Sequence, residues 1–439
     1  MSDQKATVDN NMEKEPVLQG VIDNLENFIE NINCIRETFG YSKWTLMTQH
    51  TDSLKNFDEF IASCSTTEED GKKYVSVPEG KKREFLKLFK KKNRAERAFD
   101  LIPSSYFVTL VSVYDTFLAG LIRSIYNICP EKLQESQMQF LYKDLQQLKS
   151  LSDVKKKIID KIIETQLRDS HRSQFDWLAK TLGVETLTKF SGWEEFVELT
   201  ERRNLFVHSN GTVSTQYIEM CTKYGLLTAG IIEGMQLKVD DTYFENAYKT
   251  LYKTSVLLTQ MVLRVLYLDK NQQANSEVDK VLIDNVYEMI SDKLYDIAID
   301  VSEQILNNKK MVHNSFDRAY IVLNLAQAYK WSGERDKCIE ILNNEDWSAC
   351  TNELLIPKYA LEENYEEMYC KMKELGGFNK RITISSYREW PIFQEARKES
   401  GFMNAFKDIF GEELGIVQRV EIFDQIKAEN KTSEFKTEV

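Results

Sequence analysis

The sequence predicts an all-α protein. Only six prolines and seventeen glycines interrupt 439 residues, so long stretches lack the residues that end helices and make turns. Within these stretches apolar residues recur at steps of three and four, which is the period of an amphipathic helix. Hydrophobic residues make up 42% of the chain, enough to give each of two or three domains its own core.

The N-terminal part is predicted to contain a disordered segment and then helices. Residues 1–16 are polar and charged, so we expect them to be disordered and to carry no secretory signal. Residues 17–98 form an N-terminal helical region, with two helices between Val17 and Cys64 that are separated at Phe39-Gly40. Residues 65–80 contain Asp70-Gly71 and are predicted to be a loop that includes a short extended segment.

A basic segment closes this region. Residues 81–97 carry nine lysines and arginines against two glutamates, in a chain whose net charge is −12. The candidate RNA-binding residues are Lys81, Lys82, Arg83, Lys87, Lys90, Lys91, Lys92 and Arg94, and Arg97 continues the run. Such a segment can contact an RNA backbone, or it can be the solvated face of an amphipathic helix, and the composition fits both readings.

Residues 99–269 are predicted to form a second helical region. The clearest helix runs from Tyr106 to Asn127, because apolar residues form an unbroken stripe along it. Further helices are predicted over 134–149, 153–168, 173–182, 193–208 and 241–268. Gly183 is expected to end the helix before it, and Ser209-Asn210-Gly211 has the composition of a helix C-cap.

The end of the predicted helix 193–208 carries a polar group of three residues. Arg203, Asn204 and His208 lie there, and Asn204 and His208 are about 40° apart in helical projection. The apolar residues upstream on the same face are Trp193, Phe196 and Val197. The pair is therefore expected in a semi-buried cleft at a helix or subunit seam. Histidine exchanges a proton near neutral pH, and arginine can hold a phosphate in a planar fork.

The spacing Arg203-Asn204-x-x-x-His208 resembles the R-x4–6-H motif of the HEPN superfamily. The helix around Asp115 is similar to an earlier core helix of such domains. The resemblance implies a HEPN-like helical bundle that dimerises and cleaves RNA without a metal or other cofactor. Arg203, Asn204 and His208 would be the catalytic residues, in an effector of antiphage defence (a toxin or an abortive-infection protein).

The chemistry of RNA self-cleavage fits these residue types. The 2′-OH attacks the adjacent phosphate, which requires one proton to be removed and another to be donated to the leaving oxygen. His208 can perform either transfer, Arg203 can stabilise the phosphate charge, and Asn204 can orient either partner. A single histidine does not readily perform both transfers, so a symmetric homodimer or higher oligomer that supplies a second His208 is expected.

Two carboxylates are candidate supporting residues. Asp115 can orient His208, form an ion pair with Arg203, or be an ordinary carboxylate at the edge of a packed stripe. Glu201 shares the His208 side of the helix, where a surface role is more common than support of the site. His50, His171 and His313 have no partner at a useful spacing and are interpreted as structural.

The C-terminal part is predicted to be a short helical-repeat module over 276–411, after a polar boundary at 270–276. The residues that carry this pattern are Val322, Leu325, Ala326, Tyr329, Gly333, Cys338 and Leu342. Their spacing resembles a tetratricopeptide repeat, which implies a short α-solenoid. Such a surface would bind a protein regulator or trigger. Residues 412–439 form a charged tail.

Several function classes lack support in the sequence. The seven cysteines are scattered, odd in number and without a C-x-x-C pair, which indicates reduced thiols in the cytoplasm and no zinc site. No phosphate-binding, zinc-protease or serine-hydrolase motif occurs, and no segment is long and apolar enough to predict a membrane partner. The prediction is a HEPN endoribonuclease, and the alternative is a non-catalytic helical scaffold or regulatory binding protein.

Overall fold

The computed structural model describes residues 16–133, 148–185, 187–226, 230–267, 272–308, 312 and 314–415. Helices dominate these residues, and the sheet among them has two strands, so the all-α prediction is confirmed. The predicted disordered segment 1–16 lies outside the described residues except for Pro16. The predicted helix over 134–149 falls almost wholly outside them, and so does the charged tail beyond Gly415.

The chain divides into two compact units. The first comprises residues up to Asn285 together with Glu303–His313, and the second comprises Val286–Ser302 and the residues from Asn314 onwards. The helices of the first unit are α1 (Pro16–Ala62), α2 (Lys82–Ile128), α3 (Leu151–Arg168), α4 (His171–Leu182), α5 (Trp193–Ser209), α6 (Thr215–Lys223) and α7 (Asp241–Tyr267). The helices α8 (Gln272–Ser291) and α9 (Tyr295–Asn307) run through the division.

The first two helices form a long antiparallel pair, which corrects two predictions. The expected break at Phe39-Gly40 is wrong: α1 continues through it, because Phe39 is buried against Phe244 with ring centroids 4.0 Å apart. The segment expected to be a loop with a short extended part is a complete hairpin of β1 (Ser65–Glu69) and β2 (Lys72–Ser76), joined at Asp70-Gly71, so the extended part is confirmed and its pairing with a second strand was missed. Both turn residues have positive φ, as a tight two-residue hairpin turn requires.

The distal halves of α1 and α2, with the hairpin between them, make up a two-helix arm (residues 41–105). None of the α2 residues before Phe107 is buried, whereas the stretch from Phe107 to Tyr126 supplies the core. Along the arm the helices meet through aromatic contacts, with His50 4.9 Å from Phe99 between ring centroids. The arm therefore consists of only two packed helices, whereas in the body of the unit α2 is surrounded by several helices.

The proximal half of α2 passes through the centre of the first unit and contacts α1, α3, α5 and α7. Its Tyr114 is fully buried and lies 5.2 Å from Phe196 of α5 and 5.9 Å from Phe28 of α1, between ring centroids. By length and composition, the stretch Glu79–Ile128 is the one described helix that could cross a membrane. Much of its apolar part is the core just described, as is usual for the central helix of a globular unit.

The second unit consists of successive helical hairpins. Its helices are α10 (Ser315–Ser332), α11 (Arg335–Asn343), α12 (Asn352–Glu362), α13 (Tyr365–Leu375), α14 (Ile384–Glu389) and α15 (Ser400–Phe410). The α10–α11 and α12–α13 pairs pack closely, and α10 also contacts α12. The residues that suggested repeats, Val322, Leu325, Ala326, Cys338 and Leu342, are all buried. The assignment to a repeat family stays a prediction.

Candidate functional site

Residues with positive φ set both ends of α5, the helix that carries Arg203, Asn204 and His208. Gly192 precedes it with φ 91°, and Asn210 and Gly211 follow it with φ 50° and 80°. Positive φ is uncommon outside glycine and asparagine, so these residues fix the end of the helix one residue after His208. His208 thus lies in the last turn of α5.

A largely buried carboxylate, that of Glu198, anchors α5 to its neighbours. Glu198 accepts hydrogen bonds from Arg202 at 2.6 Å, from the Tyr217 hydroxyl at 2.5 Å and from the Tyr243 hydroxyl at 2.8 Å. The Arg202 guanidinium also lies 3.8 Å from the centroid of the Tyr243 ring. Burial, reinforced by the charge of Glu198, raises the pKa of Tyr243 well above its ordinary value. Arg202 is therefore committed to the fold, and the adjacent Arg203 is the arginine that faces another way.

Arg203 is held by Asp115 of α2. Its Nη2 donates to Asp115 Oδ2 at 2.9 Å, and the two side chains are 19% and 27% exposed. Of the three roles considered for Asp115, the structure shows the ion pair with Arg203. The Nε of Arg203 is buried and has no hydrogen-bond partner among the described residues. The guanidinium thus retains a donor that Asp115 does not use.

The second oxygen of Asp115 binds His171, a residue that sequence reasoning missed. His171 Nε2 lies 2.8 Å from Asp115 Oδ1, and because a carboxylate only accepts, the imidazole donates. The His171 side chain is 4% exposed, with its ring 5.9 Å from that of Phe196. The interpretation of His171 as structural agrees with this burial, but its partner Asp115 was not predicted. Its only local signal is Ser170, whose side chain caps α4 and places His171 in the first turn.

His208 and Asn204 do not share one environment. Asn204 is half-buried, whereas His208 and the preceding Val207 are exposed, Val207 by 49%. The buried stripe predicted from Trp193 onwards therefore ends before His208 within this chain. The expectation of a semi-buried pair holds for Asn204 and is wrong for His208 in a single copy. An apolar side chain exposed beside an exposed histidine leaves this end of α5 open to a ligand or a second chain.

Glu201, the other candidate supporting residue, is buried. Its exposed fraction is 8%, so the surface role predicted as the commoner one is wrong. Its charge adds to the factors that raise the pKa of Cys221, of which burial is the largest. Glu201 thus faces the small core of Leu205, Val213, Tyr217, Cys221 and Leu237 that supports α5 from below. Nothing places it against His208.

The candidate RNA-binding residues lie on the arm, and one of them differs from the rest. Lys92 is half-buried, lies 3.6 Å from Glu96 and places its ammonium 5.3 Å from the centroid of the Phe57 ring. The remaining candidates are exposed: Lys81, Lys82, Arg83, Lys87, Lys90, Lys91 and Arg94, together with Arg97. Lys92 therefore belongs to the inner face of the arm.

Within the described part of the chain, no group of three histidine, cysteine, aspartate or glutamate side chains is arranged to hold a metal ion. All seven cysteines are free thiols. Comparison of the chain with protein-family models, with curated proteins and with solved structures gave no match. The groups that the site offers are a guanidinium held by Asp115, a half-buried amide and an exposed imidazole near the end of one helix.

Proposed function

We propose that the chain is a metal-independent endoribonuclease that cleaves RNA by attack of the 2′-OH on the adjacent phosphate. One observation carries the proposal: Asp115 fixes Arg203, while His208, five residues further along the same helix, is exposed. A positioned cation and an accessible proton-transfer group are two of the groups that transesterification needs. In this mechanism Asn204, which lies between them in the sequence, hydrogen-bonds the phosphate or the imidazole.

The reaction needs a second proton-transfer group, and the chain points to a second copy as its source. His171 is the histidine bonded to the same carboxylate as Arg203, but it is buried, and its Nε2 is occupied. It cannot reach a substrate from there. A two-fold contact at the end of α5 would place two copies of His208 opposite each other. The exposed Val207 next to it would gain a covered surface in such a contact.

Cleavage by protein prepared in EDTA tests the proposal. A labelled RNA should yield products with 2′,3′-cyclic phosphate ends, and a 2′-deoxy substitution at the cut position should prevent cleavage. His208→Ala should lower the rate by at least about 100-fold, the contribution typical of one general acid–base group. Arg203→Ala should lower it by a similar factor of at least about 100, the contribution typical of one group that stabilises transition-state charge. His50→Ala, which removes a half-buried histidine of the arm, is the matched control and should cleave normally.

Two outcomes would contradict this mechanism: full activity in His208→Ala, or cleavage that requires an added metal. Dilution provides a further test, because a composite site loses specific activity when a dimer dissociates. If the enzyme acts as a toxin in antiphage defence, expression of the wild-type chain should arrest bacterial growth, and expression of His208→Ala should not.

A non-catalytic scaffold is the second candidate, and one observation favours it. The charge of Arg203 is already balanced by Asp115, which also binds His171, so the cluster joins α2, α4 and α5 without any substrate. On this reading His208→Ala leaves cellular RNA unchanged, and partners bind elsewhere, with the helical hairpins of the second unit as the first place to look. The cleavage assay separates the two candidates.

A further inference from the structure

We propose that the outer face of the arm binds the sugar–phosphate backbone of RNA. The face is a stripe of five exposed side chains on α2. They are Arg83, Lys87, Lys90, Arg94 and Arg97. The inference rests on the proposed function only for the choice of RNA over DNA, since the surface itself is argued from its own geometry.

The five residues form a straight row. Their spacing alternates between four and three residues, so at 3.6 residues per turn they fall within about 80° of one another. From Arg83 to Arg97 the row is about 21 Å long, at 1.5 Å per residue. Lys91 borders the row on one side, and Lys81 and Lys82 extend its positive charge towards the hairpin. A narrow row of separated cations matches a row of phosphates.

The opposite face of the same helix segment is already occupied. Phe85 lies 5.9 Å from Phe57 and 6.1 Å from Phe60 between ring centroids, and Phe99 meets His50. The helix thus uses its apolar face to pack against α1, while its basic face points away. The basic face of the arm has no counterpart on α1: residues 41–62 carry Lys43 and Lys55 against three acidic residues.

The charges of the row are not neutralised within the chain. Among the described residues, no carboxylate lies within ion-pair distance of Arg83, Lys87, Lys90, Arg94 or Arg97. The chain as a whole has a net charge of −12, so its solubility does not require a cationic patch. A concentrated, unpaired row of positive charge on an acidic protein therefore indicates a polyanionic partner.

RNA fits this surface better than a membrane or an acidic protein. A helix that lies in a membrane interface inserts a broad apolar face into the lipid, whereas here Phe85 of that face packs against Phe57 and Phe60 of α1, and Leu86 and Phe89 are 45% and 41% exposed. An acidic protein segment would need a surface of complementary shape, and the straight basic row on one side of α2 offers little of one. A phosphate backbone needs only a line of donors at low sequence specificity, with arginines suited to bidentate contacts.

The row lies on the same helix as Asp115, which holds Arg203 of the proposed cleavage site. Asp115 lies eighteen residues beyond Arg97, which is about 27 Å along α2. A long RNA bound at the arm would therefore have its chain held near the unit that contains Arg203, while a trinucleotide is too short to span the two. This separation allows binding by the arm and cleavage at the site to be measured independently.

Fluorescence anisotropy with a labelled single-stranded 30-nucleotide RNA tests the proposal. The full chain with His208→Ala is used as the background, so that the RNA stays intact. Five contacts predict a slope of about −3.5 for log K against log salt concentration, from about −0.7 per phosphate on a single strand. The triple variant Lys87→Gln/Lys90→Gln/Arg94→Gln should weaken binding at least about tenfold and reduce the slope to about −1.4.

The matched control removes the same charge from another helix of the same unit. Lys155→Gln/Lys156→Gln/Lys161→Gln on α3 should leave both affinity and slope near the wild-type values. Equal losses in the two triple variants, or no loss in the arm variant, would overturn the proposal. So would tighter binding to phosphatidylserine vesicles or polyglutamate than to RNA, or tighter binding to DNA of the same sequence.

Failure of this inference is distinguishable from failure of the proposed function. With His208 restored, the arm variant should cleave a trinucleotide at the wild-type rate and cleave the long RNA more slowly at sub-saturating concentration. If the chain binds RNA through the arm but cleaves none, the proposed nuclease activity is wrong and the RNA-binding proposal stands. If the chain cleaves long RNA equally well with and without the arm charges, the RNA-binding proposal is wrong and the nuclease activity stands.

Discussion

Removal of the Asp115 carboxylate should destabilise the first unit measurably, because this single group joins three helices. In Asp115→Ala two hydrogen bonds to a charged acceptor disappear, from Arg203 at 2.9 Å and from His171 at 2.8 Å. Each such bond contributes about 1.5–3 kcal/mol, and the lower end applies here because Asp115 is 27% exposed. We therefore expect a loss of about 3 kcal/mol in the free energy of unfolding.

The measurement is differential scanning calorimetry of the full chain. For a unit of this size, with an unfolding entropy of about 2.1 cal/mol/K per residue, about 3 kcal/mol corresponds to a fall in Tm of roughly 5 °C in the transition of the first unit. Asp115→Asn should lose nearly as much, because its amide NH2 faces a donor. Asp160→Ala is the control: it breaks the exposed pair with Arg123, which is worth about 0–1 kcal/mol. A shift in Asp115→Ala no larger than in this control would refute the reasoning.

Three further predictions concern other parts of the chain. Burial raises the pKa of the Cys338 thiol to about 11, so the folded state holds this proton more tightly than the unfolded state. Stability should be unaffected below pH 9 and should fall as the pH rises towards 11, and Cys338→Ala should flatten that slope in pH-dependent urea unfolding. Gly211→Ala should lower the free energy of unfolding clearly more than Gly183→Ala, which should cost roughly 1–2 kcal/mol. Both glycines have positive φ, but of the two only a Cβ at 211 would meet a neighbouring atom, at 2.7 Å. Equal losses in Tm would contradict this. Asp279→Ala should cost about 3–5 kcal/mol in urea unfolding because it removes the buried carboxylate that lies 2.8 Å from the buried Arg264 guanidinium, whereas replacing both by apolar residues should cost little.

The helices whose ends carry a local signal were predictable from the sequence. Ser150, Ser170 and Ser214 each cap a helix through the side-chain oxygen, and Gly183 ends α4 with φ 71°. These interactions lie within a few residues, so composition alone reveals them. The predicted boundaries of α3, α4, α5 and α7 accordingly differ from the observed ones by only a few residues.

The two long helices were not predictable in the same way. One glycine in a helix costs about 1 kcal/mol relative to alanine, which is a reason to predict a break at Gly40. Packing of Phe39 against Phe244 and Tyr106 outweighs that cost, and these partners lie far away in the sequence. Pro103 likewise lies inside α2. Local propensity is a weak guide where a helix is held along its length by a partner.

The candidate site shows the same limit. Arg203, Asn204 and His208 were found because they are close in sequence. The link from Asp115 to His171 spans fifty-six residues and has no spacing that a pattern could detect. Whether a side chain is covered also depends on elements that a single helix pattern does not contain, which is why the exposure of His208 and the burial of Glu201 were both unexpected.

The length of the arm can change without any change in the core of the first unit. The helices α1 and α2 leave the body of the unit as an antiparallel pair. One heptad inserted after Ser42 in α1 and one inserted before Tyr106 in α2 would therefore keep the same helix faces in contact. Such an insertion lengthens the arm by about 10 Å without altering a core contact. Arm length is thus a property that can change by steps among variants, while Asp115 and the helices around it stay as they are.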